Sequence, residues 1–157
     1  MTAKEMFQTI KFKYNDPGYI VLDQVRNGTG YQHTIRTADA IVMCTWPSRG
    51  YEIWGFEIKV NRSDWLKELQ SPRKAEPIWS MCDRWYVACP KDVVKKEELP
   101  KGWGLMVMQQ NGLTTKVQAS INVEAQPLDR GFFAAMLRVA IGKQSTVAQM
   151  QAEYERG

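Results

Sequence analysis

At 157 residues, 44% hydrophobic and 24% charged, the chain is long enough to bury a sizeable core in one domain and has the balance of an ordinary globular protein. A net charge of +4 and a pI of about 9.0 give a mild basic excess, compatible with a nucleic-acid partner without establishing one. No apolar run approaches the roughly 18 residues of a spanning helix, and MTAKEMFQTIKFKY at the start lacks a signal-peptide block, so a cytoplasmic protein with no membrane partner is expected.

In chain order, GYIVLDQV (18–25) is a strand-like apolar run, and RNGTGY (26–31) is a turn signal with two glycines. TADAIVMCTW (37–46) reads as a second strand, PSRG (47–50) as a turn, and YEIWGFEIKV (51–60) as a third strand, so the second and third should form a hairpin. Ser63 is placed to cap a helix through DWLKELQ, with Trp65, Leu66 and Leu69 at helical spacing. RKAEPIWSMC reads as a second helical piece and RWYVACP (84–90) as a further strand. KKEELPKGW reads as a short helix or turn. GLMVMQQ (104–110), Asn111-Gly112 and LTTKVQAS (113–120) form a hairpin pattern. DRGFFAAMLRVAIG (129–142), which holds Leu137 and Val139, reads as an amphipathic or buried helix packed behind the sheet, and STVAQMQAEYER (145–156) as a more exposed one. This order predicts an α/β (α+β) domain with a mixed sheet over residues 1–143, followed by a helical tail over 144–157.

The three cysteines, Cys44, Cys82 and Cys89, form no C-x-x-C pair, so buried free thiols are expected rather than a zinc site or disulfides. The single histidine, His33, excludes a histidine-based metal centre and chemistry that needs paired histidines.

Three positions on two strands carry chemistry. In GFEIKV (55–60), Phe56, Ile58 and Val60 share one strand face, and Glu57 and Lys59 share the other. If the hairpin turn centres near Ser48 and Arg49, Asp39 falls about opposite Glu57 to Lys59 and points to the same face. Two carboxylates and an ammonium then converge. A Mg²⁺ ion suits such a pair, and Lys59 is placed to hold or help deprotonate a water on it, which is chemistry for breaking a phosphodiester bond. The plain alternative is a network of solvated charges on an exposed sheet face.

Asp39 with Glu57-Ile58-Lys59, on adjoining strands before a helix, resembles the active-site pattern of the PD-(D/E)xK nuclease superfamily. More narrowly, VRNGTGY, RTADAIVM, WPSRG, GFEIKVNRSDWLKEL and CDRWYVACP resemble small phage and bacterial members similar to MmcB-like DNA-repair proteins, over roughly residues 20–108. The resemblance implies a restriction-endonuclease-like fold, a central mixed sheet flanked by helices. It also implies a Mg²⁺- or Mn²⁺-dependent nuclease acting on nucleic acid, most of all DNA, in the bacterial host cytoplasm if phage-encoded. On this pattern Asp39 and Glu57 are metal ligands, the Ile58 carbonyl is an extra ligand, and Lys59 is the catalytic lysine. Asp39 follows Ala38 rather than the proline of the family name. Many members carry a further acid upstream, for which Asp23 is the nearest candidate, with Gln24 beside it offering a neutral oxygen. Arg26 and Asn27, in the RNGTG turn, and Arg36 and Arg62, flanking the acids, are candidates for holding the nucleic-acid backbone. Lys67, Arg73 and Lys74 read by default as a solvated helix face, with extension of that surface as the alternative, and Trp65 and Trp103 read as core packing, with stacking on a base as the alternative. A homodimer is one assembly compatible with this reading. A binding module on the same fold, with weak or no cleavage, and a purely structural interaction protein are the competing functions.

Overall fold

A computed structural model describes residues 1–28, 36–142 and 154–156. Its centre is a six-stranded mixed sheet in which the strands lie in chain order: β1 (Tyr19–Arg26), β2 (Thr37–Cys44), β3 (Ile53–Ile58), β4 (Arg84–Cys89), β5 (Gly104–Gln109) and β6 (Gly112–Val117). The β1–β2, β2–β3 and β5–β6 pairs are antiparallel, and β3–β4–β5 run parallel. The mixed α+β architecture expected from the sequence is therefore observed.

The strands of the sheet centre are apolar on both faces, and helices cover both. On one face α1 (Ala3–Lys13) presses Met6, Phe7, Ile10 and the following Tyr14 against Ala40, Val42, Phe56, Ile58, Tyr86 and Met106. On the other face α2 (Arg62–Gln70), α3 (Glu76–Trp79) and α4 (Arg130–Ala140) contribute Trp65, Ile78, Phe132, Ala135 and Met136 to a core with Ile41, Ile53, Trp85, Val87 and Leu105. The three cysteines are free and buried, as expected. Among the described residues no helix is long and apolar enough to cross a membrane.

Several local expectations shift. The N-terminal segment is a helix: Thr2 and Glu5 close a reciprocal capping box at its start. The cap of α2 is Asn61, whose side chain accepts from the Asp64 N–H, rather than Ser63. Its buried residues are Trp65 and Glu68, while Leu66 points outward. In α4 the sheet-facing residues are Phe132, Ala135 and Met136, and Leu137 is exposed. The β2–β3 turn is a short 3-10 helix over Pro47–Arg49, closed by Gly50 in the left-handed region. The β5–β6 turn residues are Gln110 and Asn111, one earlier than expected, because Gln109 pairs with Gly112. Of the tail 144–157, residues 154–156 form a helical turn and the remainder lies outside the described residues, as does His33.

Candidate active site

The β2–β3 register pairs Ala40 with Phe56 and Ile41 with Gly55. Continued by one residue, it sets Asp39 opposite Glu57, on the face covered by α2. Contacts agree with that placement: Asp39 Oδ2 accepts the Ile58 backbone N–H at 2.7 Å. The hairpin geometry inferred from the turn residues is thus present, and Asp39, Glu57 and Lys59 come together at the C-terminal end of β3.

A solvated pair of charges is not what forms there. Glu57 is 7% exposed and sits opposite Val87 of β4. Lys59, just beyond β3, places its ammonium 4.0 Å from Glu57 Oε2. Burial, then the charges of Asp39 and Glu68, raise the Glu57 carboxyl well above the ordinary carboxylate range, and Lys59 pulls it back only in part.

Glu68 is the site residue that the sequence did not reveal. It projects from α2 one turn after Trp65 and is 1% exposed. Lys59 Nζ lies 3.2 Å from its Oε1, and Lys74 Nζ lies 3.4 Å from its Oε2. Neither approach has hydrogen-bond alignment, so the attraction is charge on charge. Three carboxylates therefore face two ammonium groups, leaving a negative excess when all are ionised.

The upstream candidates separate. Gln24 Nε2 reaches within 3.4 Å of Asp39 Oδ1. It does so from a backbone with φ +50, a conformation costly for a residue with a side chain. Asp23 is exposed; its carboxyl is raised by partial burial and by Asp39 and lowered by Lys11 of α1. Arg26 is exposed at the end of β1. Asn27 is buried and serves the loop base, its Oδ1 accepting the Arg36 N–H at 2.8 Å. Arg36 is exposed, and its Nε donates to the Lys74 carbonyl at 2.9 Å, joining the basic edge to the segment that carries Lys74.

Arg62 is engaged by contacts within the protein, and Trp65 and Trp103 pack in the core, as their default reading expects. The Arg62 guanidinium, partly exposed, is engaged by Glu98 and by the Val93 carbonyl, with Nη1 at 2.8 and 2.9 Å respectively, so these donors are already taken within the protein. Trp65 and Trp103 are 0% and 7% exposed, which leaves neither indole face open to a base.

Among the described residues no group of three or more His, Cys, Asp or Glu side chains is arranged to hold a metal ion. The carboxylates that face each other there are Asp39 and Glu57. Hard oxygens of this kind, with one carboxylate destabilised by burial, fit a small divalent cation that keeps several of its own waters.

No protein-family model matches the sequence, and comparison with curated proteins gives no significant match. Among solved structures the chain is similar to a protein of unknown function from Silicibacter pomeroyi, at 19% identity with a TM-score of 0.53, covering 88% of this chain and 80% of the other. That likeness concerns the fold alone: the two chains share a mixed α+β architecture.

Proposed function

We propose that the protein is a metal-dependent nuclease of the PD-(D/E)xK superfamily, with a restriction-endonuclease-like fold, hydrolysing phosphodiester bonds in nucleic acid and DNA above all. The observation that supports this most is the buried Glu57 opposite Asp39 with the Lys59 ammonium 4.0 Å away, a pairing on adjoining strands that solvated surface charge does not require. Asp39 and Glu57, with the Ile58 carbonyl, would hold Mg²⁺ or Mn²⁺. Such an ion supplies Lewis acidity and lowers the pKa of a bound water. Lys59 orients the attacking water and offsets charge gathering on the phosphate oxygens. Gln24 steadies Asp39 from the neighbouring strand. Arg26, Arg36 and the half-exposed Lys74 lie on or beside the segments flanking the acids and would take the phosphate backbone.

A binding module with weak cleavage is the second reading, favoured by the two-carboxylate donor set and by the engagement of Asp39 Oδ2 with a backbone N–H. A panel of single-stranded, duplex and branched DNA and RNA, incubated with Mg²⁺, Mn²⁺ or EDTA, separates them. The nuclease reading expects metal-dependent products from the wild type and none from Glu57→Ala. Binding that persists in EDTA with no cleavage of any substrate supports the module instead.

A further inference from the structure

Lys59 stands between two carboxylates and is nearer the one that sequence did not mark. Its ammonium is 3.2 Å from Glu68 and 4.0 Å from Glu57. Glu68 is almost wholly buried, and an ionised carboxylate in such a place is strongly destabilising unless counter-charges stay beside it. Lys59 and Lys74 are those counter-charges. Because neither ammonium is aligned as a hydrogen-bond donor, the pairing depends on proximity alone. Glu68 does not combine with Asp39 and Glu57 into a three-carboxylate group able to hold a metal. Beyond the direct repulsion it exerts on Glu57, its effect on the site passes through Lys59, the ammonium it shares with Glu57.

We propose that Glu68 is a positioning residue that draws Lys59 toward α2 and so keeps the Asp39–Glu57 pair open to a divalent cation. This rests on the metal-site reading above. Among the described residues, Glu57 is the other carboxylate within ion-pair reach of the Lys59 ammonium. A lysine released from Glu68 closes on Glu57, neutralises it, and competes with a cation for the same oxygens. Lys74 completes the arrangement by neutralising the second Glu68 oxygen; its backbone is tied to Arg36 at the basic edge.

The test is Mn²⁺ titration calorimetry on the full chain in four forms: wild type, Glu68→Gln, Lys59→Ala and the double variant. Glu68→Gln should weaken Mn²⁺ binding by about tenfold or more, the scale of one partly screened charge contact. In the Lys59→Ala background the same substitution should change affinity by less than about threefold, since no ammonium remains to compete. Loss of a distant negative charge, or general loosening of the site, would weaken binding by the same factor in both backgrounds. That result overturns the proposal, as does a Glu68→Gln affinity equal to wild type. If Glu68→Gln does not fold, Glu68→Asp keeps the charge but withdraws it by one methylene; it should show a smaller, still Lys59-dependent loss, and wild-type affinity there also overturns the proposal. A wild type that binds no Mn²⁺, or a Glu57→Ala variant that binds it equally well, refutes the metal-site reading itself and this inference with it. A Mn²⁺-binding wild type with an indifferent Glu68 refutes this inference alone.

Discussion

Replacing Glu57 with glutamine keeps the shape of the side chain and removes its titration. Glu57 is buried, and its carboxyl is raised by that burial and by Asp39 and Glu68. The folded protein therefore holds the Glu57 proton more tightly than the unfolded chain does. For a raised pKa, the stabilising contribution is fully present below the unfolded value near 4.5 and is lost as pH climbs toward the folded value. Each unit between the two amounts to about 1.4 kcal/mol. Glutamine has no such loss. In EDTA the stability of Glu57→Gln relative to wild type should therefore grow between pH 5 and 8 by about 1–3 kcal/mol. For a chain of this size that is a melting-temperature gap widening by roughly 2–12 °C. Thermal melts followed by circular dichroism at four pH values measure it. Parallel melting curves against pH would refute the account of Glu57 as a buried, repelled carboxylate. At pH 8, excess Mn²⁺ should then raise the wild-type melting temperature more than that of the variant, because the ion binds the folded site.

Other predictions concern the frame and the surface. A Cβ at Gly55 would sit 2.1 Å from the Trp85 ring, so Gly55→Ala should cost about 1–3 kcal/mol or more by overpacking the α2-side core, read as a lowered melting temperature. The Glu98 carboxyl is pulled down to about 2, first by its hydrogen bond from Arg62, so its contribution is present above the ordinary carboxylate range and fades as pH falls through about 2. Glu98→Gln should accordingly show a shallower loss of stability between pH 5 and 2 than wild type, in acid melts. Arg36→Ala should weaken nucleic-acid binding evenly across sequences and reduce the dependence of log K on log salt by about one, in fluorescence titrations at several salt concentrations.

What the sequence revealed of the site follows from strand geometry. Pro47 and Gly50 bracket a tight turn, and the alternation on either side of it pins the register. A slip of one residue would have thrown Asp39 to the α1 face, away from Glu57. Glu68 was invisible for a comparable reason. In DWLKELQ a glutamate flanked by lysine and leucine reads as a solvated helix residue, and only the packing of α2 on the sheet brings Lys59 and Lys74 over it. The same limit applies to Arg62: its partner Glu98 lies 36 residues on, beyond any local pattern. Helix α1 was legible in principle, through Thr2 and Glu5, but its apolar positions Met6, Phe7 and Ile10 make a short stripe that is easily passed over.

The most direct measurement of the central claim is single-turnover cleavage by wild type, Lys59→Ala and Lys59→Arg, on the best substrate of the panel with saturating Mn²⁺. With Lys59 3.2 Å from Glu68 and 4.0 Å from Glu57, its removal leaves both carboxylates of the cation pair in place, so metal and nucleic-acid binding should largely survive. Cleavage should slow by about 10²–10⁴-fold. Arginine should restore little, since its planar fork delivers charge differently and hardly gives up a proton. A Lys59→Ala protein that cleaves at the wild-type rate would contradict the account, and would leave Lys59 as a partly buried counter-charge without a part in the chemistry.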